Sequence, residues 1–181
     1  MCIRDRADYS KEEIFDLIVK NSQEYEEYKK DHEELDLSEL DFSNLSLENV
    51  DLADADLSGC CFSESTFTEV NFSNTDLTSA DFSRANLVEC NFSGALLNGT
   101  DYSYATASYC NFTDADMAGA VFNESNLENS DFSAAENMEA VRFDESTIWP
   151  DTDLLPEDFD TTYTRDLSSL EDDDDHASAD Y

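Results

Sequence analysis

Residues 75–99 read Thr75-Asp-Leu-Thr-Ser, Ala80-Asp-Phe-Ser-Arg, Ala85-Asn-Leu-Val-Glu, Cys90-Asn-Phe-Ser-Gly, Ala95-Leu-Leu-Asn-Gly. A large apolar residue falls at every fifth position: Leu77, Phe82, Leu87, Phe92, Leu97. A small residue sits two before each. The position between them is Asp or Asn, except at Leu96. A period of five fits neither the helix at 3.6 nor the flat strand at 2.

Outward from this stretch the same beat runs from Leu37 to Phe132, and only Ala107 breaks the run of large residues. The second, smaller set includes Val50, Ala55, Cys60, Val70, Ala105, Cys110, Ala115 and Ala120. If one coil takes 20 residues, positions 20 apart must stack and share a type. One column then reads Leu37, Leu57, Leu77, Leu97, Met117, and the next Phe42, Phe62, Phe82, Tyr102, Phe122. Another reads Leu52, Phe72, Phe92, Phe112, Phe132. The last, Leu47, Phe67, Leu87, Ala107, Leu127, predicts a local dent at Ala107.

Ala55-Asp56-Leu57, Ala80-Asp81-Phe82, Ala85-Asn86-Leu87 and Ala115-Asp116-Met117 resemble the A-(D/N)-L-x-x motif of the pentapeptide-repeat family. The resemblance implies an all-β solenoid, a right-handed quadrilateral β-helix with four pentapeptides per coil and the centre residue pointing inward. Five to six coils are expected, with an N-terminal capping α-helix. Coils about 4.8 Å apart make a rod body about 24 Å long.

The flanks differ in character. Met1-Cys-Ile-Arg-Asp-Arg6 does not resemble the rest of the chain, and residues 1–9 read as a non-native or disordered start. Residues 10–34 read as a helical N-terminal cap: Ser10 and Glu13 form a capping box, and Ile14, Leu17, Ile18, Tyr25 and Tyr28 share a face. A break near Asn21-Ser22 would give two short helices. The β-helix is expected over 35–149, with one inserted residue at Ala134-Ala135 and an end at Trp149-Pro150, since Pro cannot donate to a ladder. Residues 150–181 read as an acidic C-terminal cap and disordered tail. Trp149, Leu154, Leu155 and Phe159 do the covering, with a helical turn expected from Leu154 to Phe159, and Glu171–Asp180 is solvated.

Charge sets what the chain can do. It has 45 acids against 9 bases over 181 residues, a net charge of −36. Direct nucleic-acid binding and a polybasic membrane patch are excluded, because both need Lys and Arg. No phosphate-cradling glycine motif exists, and no apolar run is long enough to span a membrane. The two histidines, His32 and His176, lie off the rod body, so no nucleophile–His–acid arrangement is available. The chain reads as a non-enzyme with no cofactor and no metal. The five cysteines lack zinc spacing and suit a reducing, cytoplasmic compartment. A periplasmic or luminal repeat protein that has lost its targeting segment stays an alternative. Cys90 and Cys110 stack 20 apart, which suits a disulfide by Cα spacing, but a small inward site filled as by Val70 is the simpler reading. The Asp172–Asp175 run with His176 reads as a solvated tail.

What remains is the surface. Outward positions of residues 35–134 carry 18 acids and one base, Arg84. The candidate interaction surface is two ladders: Asp36, Asp56, Asp76 and Asp116, broken by Leu96, and Asp41, Asp81 and Asp101, broken by Cys61 and Val121. Sorted by face, the acids wrap the rod evenly. Their density is one charge per ~1.4 Å, against one per ~1.7 Å in duplex DNA. The reading is an interaction or scaffold module with a protein partner. The resemblance adds a sharper alternative, because some family members imitate duplex DNA and bind gyrase, protecting it from quinolones or inhibiting it. The partner would then be a DNA-handling protein. Those members dimerise through a C-terminal helix, and no such helix is evident in residues 150–181. A third reading is that the acidity is salt adaptation only.

Overall fold

A computed structural model describes residues 9–20, 23–32 and 34–162. Residues 1–8 of the expected disordered start, the Asn21-Ser22 break and the expected tail at Glu171–Asp180 lie outside the described residues, whereas Tyr9, the last residue of that start, is described with its ring 5.0 Å from Tyr28.

The repeat folds as a right-handed quadrilateral β-helix. Each pentapeptide makes one side, and partners lie 20 residues apart. On the first face the parallel bridges run Asp36↔Asp56↔Asp76↔Leu96↔Asp116↔Glu136. On the second they run from Asp41 through Cys61, Asp81 and Asp101 to Val121, and on the fourth from Asp51 through Asn71, Asn91 and Asn111 to Asp131. The third face alone is regular sheet: β1 (Ser46–Glu48), β2 (Thr66–Thr68), β3 (Asn86–Val88) and β4 (Thr106–Ser108), parallel and in register.

The five-residue beat exists because a corner must follow each short extended segment. Typical is Ala80, whose N–H donates to the Leu77 carbonyl at 3.0 Å, closing a four-residue turn. The third residue of that turn, Ser79, has φ 59°. A left-handed residue at this place marks a type II turn and suits the Asn, Asp and Gly found there, while Glu39, Glu64, Glu69, Glu89 and Glu124 adopt the same conformation. Gly94 is a strict case: φ is +67°, and an added Cβ would stand 2.6 Å from Asn74 Oδ1.

Inside, the centre residues from Leu37 to Phe132 are fully or nearly fully buried. Aromatic rings stack along the axis, with Phe72–Phe92 and Phe92–Phe112 each at 4.9 Å and within 5° of parallel. Neighbouring columns meet edge to face, as Phe72 and Phe82 do at 5.9 Å and 88°. Each such contact adds about 0.5–1.5 kcal/mol beyond area burial. The expected dent at Ala107 does not interrupt the ladder: Ala107 is fully buried in β4 and pairs with Leu87. The smaller inward set is not purely apolar. Ser65, Thr75, Thr100, Ser125 and Ser130 are buried, and each hydroxyl donates to a backbone carbonyl, Thr75 to Phe72 at 2.7 Å and Thr100 to Leu77 at 2.9 Å. A short hydroxyl fits the small inward site because a carbonyl lies within reach.

Two short helices stand over the first coil, α1 (Lys11–Val19) and α2 (Gln23–Lys29). The Ser10–Glu13 capping box is formed in both directions. Ile14, Ile18 and Tyr25 are buried, and Phe15 meets Phe42 edge-on at 4.9 Å. The Tyr25 hydroxyl donates to the Asp51 carbonyl and Lys29 Nζ to the Ala53 carbonyl, tying α2 to the fourth face.

At the other end the register corrects the sequence reading. Asp116↔Glu136 still spans 20 residues, Val121↔Arg142 spans 21 and Asn126↔Ile148 spans 22. The first extra residue is therefore taken up after Glu136, not at Ala134-Ala135. Asn137 turns left-handed there, and a 3-10 turn comes next at Met138–Ala140. A second extra residue lies between Arg142 and Ile148. It moves Ile148 outward, 47% exposed, and brings Trp149 onto the core, 5.6 Å from Phe122 and 5.7 Å from Phe132. The ladder also does not stop at Pro150: the Phe132 N–H donates to the Leu154 carbonyl at 2.8 Å, and Leu155 is buried beyond it. The turn expected over Leu154–Phe159 is a 3-10 turn at Thr152–Leu154 followed by a bend in which Phe159 N–H meets the Pro156 carbonyl.

Candidate functional site

All seven candidate aspartates project from the position just before a centre residue. Each also accepts a backbone N–H from two residues on. The bonds are Ser38 to Asp36 at 3.1 Å, Ser43 to Asp41 at 2.9 Å, Ser58 to Asp56 at 3.0 Å and Thr78 to Asp76 at 2.9 Å. Ser83 to Asp81 and Ser103 to Asp101 are both 2.8 Å, and Ala118 to Asp116 is 3.1 Å. This is an Asx turn, in which a short acceptor side chain satisfies the amide that the corner leaves free. Asn does the same on the fourth face, where Asn71 and Asn91 accept from Ser73 and Ser93. One carboxylate oxygen of each candidate thus holds the corner, and the group is fixed in orientation.

The two ladders are not uniform. Asp36, Asp56 and Asp76 adjoin on the first face and line one shallow cleft with Asp54 and Glu34. Asp116 is set apart from them by Leu96. Asp81 and Asp101 adjoin on the second face, while Asp41 is separated by Cys61. Asp36 is paired: Lys11 Nζ stands 2.7 Å from its Oδ1. That contact and the Ser38 bonds pull its carboxyl down to about 2. Asp41 is lowered by Ser43, and Asp116 by Asn98 and Asn137. No group of three or more His, Cys, Asp or Glu with metal-holding geometry occurs among the described residues.

Along the axis the charge has a gap that sorting by face conceals. Between Glu89 and Asp114 the chain carries one ionised group, Asp101. Three large apolar or aromatic side chains stand exposed in that stretch: Leu96 at 45%, Tyr104 at 47% and Tyr109 at 64%. Tyr104 and Tyr109 flank β4 at the corners of the third face, with Thr106 and Ser108 outward between them. The Arg84 guanidinium lies over the Tyr104 ring at 4.6 Å, and a hydrogen bond to Glu124 raises the Tyr104 hydroxyl. Sequence reasoning finds Leu96 but misses the two tyrosines. The usable signal is an aromatic at a corner that elsewhere holds Asn, Asp, Glu, Ser, Arg or Gly.

Cys60, Cys61, Cys90 and Cys110 are free, and all but Cys61 are buried. Cys90 and Cys110 fill the small inward site, as Val50 and Val70 do.

A repeat of this register over most of the chain has a counterpart among known families. The pentapeptide-repeat model matches residues 34–68, 67–101 and 103–147, in eight copies. The chain belongs to the pentapeptide-repeat family. Among solved structures it resembles the pentapeptide repeat protein Rfr23 from the cyanobacterium Cyanothece 51142, at 16% identity over 67% of this chain and 95% of that one, TM-score 0.46. A pentapeptide repeat protein from Nostoc Pcc 7120 matches at 30% identity over 51% of this chain and 75% of that one, TM-score 0.43. Full-length QnrB1, a plasmid-mediated fluoroquinolone resistance protein, matches at 18% identity over 62% and 92%, TM-score 0.20. No curated protein matches significantly by sequence. No described helix is long and apolar enough to cross a membrane.

Proposed function

We propose that this pentapeptide-repeat protein is a non-enzymatic protein-binding module, whose contact centre is the weakly charged waist and whose acidic coils receive basic groups at the rim. The observation that carries this is the coincidence of the charge gap with exposed Tyr104 and Tyr109 at the two corners of the third face, Leu96 lying on the first face at the opposite side of the coil. A coat serving only solubility would not concentrate exposed aromatics where it is thinnest. Protein interfaces have this anatomy, with tyrosine enriched and charge depleted at the core and a polar rim around it. The partner surface would be neutral at its centre and cationic at its edges. Free thiols in the core suit a cytoplasmic setting. A photo-crosslinking residue at Tyr109 should label one protein in the source cells, and labelling should fall away with Tyr104→Ser. Equal labelling from Asp56 on the first face, or none at all, would sink the reading.

DNA mimicry is the second reading, supported by seven oriented aspartates at a coil spacing of about 4.8 Å. The weakly charged waist weighs against it, since phosphates run without a gap. A gyrase supercoiling assay at moderate salt decides: no effect at micromolar protein removes the gyrase version.

A further inference from the structure

Cys90 and Cys110 lie one above the other inside the rod, each 1% exposed, next to the Asn91↔Asn111 bridge. Their thiols point the same way. Cys90 Sγ donates to the Phe67 and Val88 carbonyls at 3.5 and 3.6 Å. Cys110 Sγ donates to the equivalent groups one coil on, the Leu87 and Ser108 carbonyls, both at 3.7 Å. The two Cβ–Sγ bonds therefore run side by side, with the sulfurs about one coil spacing apart, ~4.8 Å. Contact with Cys90, and then burial, pushes the Cys110 thiol up.

A disulfide does not suit this arrangement, because it needs a Cβ–S–S–Cβ dihedral of about ±85–100° and parallel bonds give one near zero. A cation between the sulfurs does suit it. A thiolate–zinc bond is about 2.3 Å, so two bonds of that order in line span about 4.6 Å, close to the coil spacing. Zinc itself takes four ligands, and no third His, Cys, Asp or Glu completes a metal-holding group among the described residues. Soft Cu(I) prefers thiolates and accepts two in line. Val70, one coil before Cys90, places two γ atoms where cysteine places one, so the column has room for an added atom. A second observation points to the same place. The Tyr102 hydroxyl is fully buried with no hydrogen-bond partner among the described residues. Tyr102 falls between the two cysteines along the coil, and burial, then Cys110 and Cys90, raise its hydroxyl. An orphaned buried donor calls for an acceptor, and an anion formed beside it supplies one.

We propose that Cys90 and Cys110 form a linear two-coordinate site for Cu(I). On binding, both S–H bonds break, two Cu–S bonds form and two protons leave to solvent, with no change of oxidation state. Two thiolates about one Cu(I) keep one net negative charge, and the Tyr102 hydroxyl donates to it. The sequence-based expectation of no metal rests on zinc spacing, which presumes four ligands. The site lies inside the rod and does not depend on the protein-binding reading.

The test uses the whole reduced chain with Cys2→Ser, Cys60→Ala and Cys61→Ser, which leaves this pair alone. Cu(I) is offered without oxygen as its bicinchoninate complex, both to the folded protein and during refolding from urea, which removes any barrier to entry. The chain should take one Cu(I), and X-ray absorption should find two sulfur neighbours. Cys110→Val, a side chain the column already holds at Val70, should abolish uptake. Tyr102→Phe should stabilise the metal-free chain yet weaken Cu(I) about tenfold or more, a separation that a purely structural tyrosine would not produce. Zn(II) should not compete. No uptake by either route overturns the site. So does unchanged affinity in Cys110→Val or in Tyr102→Phe, displacement by Zn(II), or a count of three or four sulfurs, which would mean thiolates shared between chains.

Discussion

The Asp81 carboxylate both carries surface charge and closes a corner, and the two roles separate by substitution. Its Oδ1 accepts the Ser83 N–H at 2.8 Å. Asp81→Asn keeps that bond and removes a charge adjoining Asp101, so stability should hold or rise. Asp81→Ala loses the bond and should cost about 0.5–1.5 kcal/mol, read as a shift in urea midpoint at constant slope. A charge-only role would make the two variants alike. Tyr102 poses the opposite case. Its ring continues the aromatic stack 5.0 Å from Phe82, yet its hydroxyl is fully buried with no hydrogen-bond partner. Leaving such a group unsatisfied costs about 1–3 kcal/mol, so Tyr102→Phe should stabilise the rod by about 1 kcal/mol. Destabilisation on chemical denaturation would show that the hydroxyl does useful work. Neither point is legible in the sequence. The Asp-or-Asn preference is visible as a pattern, but Asx bonding depends on corner geometry. A tyrosine among phenylalanines looks like any other large ring.

At the scale of elements, the N-terminal helices are held by contacts of different kinds, and one of them titrates. Lys11 lies at the start of α1 and reaches the first coil, with Nζ 2.7 Å from Asp36 and 3.0 Å from the Ser38 carbonyl. The Lys11 and Ser38 hydrogen bonds depress the Asp36 carboxyl from the usual 3.8 to about 2. A depressed carboxyl stabilises the fold above its unfolded value, and that contribution fades as pH falls through its folded value. The difference in melting temperature between the protein and Lys11→Met should therefore be constant above pH 4. It should shrink toward pH 2, to the residue left by the Ser38 carbonyl bond. A difference that grows on acidification would refute the assignment. The helices themselves are readable, because the capping box and the apolar face are local signals. The C-terminal end is not. The beat reveals its first register slip but places it two residues early, and it hides the second. Ile148 keeps the five-residue beat after Phe143 while its side chain faces solvent and Trp149 takes the core. Periodicity records spacing, and a large aromatic next to the expected position wins the burial.

Across the whole molecule, fold and function differ in legibility for one physical reason. The fold repeats, so each coil restates the same inward pattern and errors average out. A binding surface is where a repeat departs from itself, as the proposed one does at Tyr104 and Tyr109, and each departure occurs once. The net charge of −36 does repeat, and it makes a testable demand on stability. Asp56 pairs with Asp76 and Asp81 with Asp101 on adjacent coils, about 4.8 Å apart. At 0.1 M salt the screening length is about 10 Å, which spans two coils, and at 1 M it is about 3 Å, less than one coil. Neighbouring carboxylates should thus repel at the lower salt and be largely independent at the higher, so the melting temperature should climb between them. Salt also strengthens apolar burial, and the two causes are separable. Replacing Asp56, Asp76, Asp81 and Asp101 together by Asn keeps all four Asx turns and removes four charges. That variant should melt higher at 0.1 M and gain less on going to 1 M. If its gain equals that of the parent protein, ladder repulsion is not what salt relieves, and the climb belongs to the Leu and Phe columns.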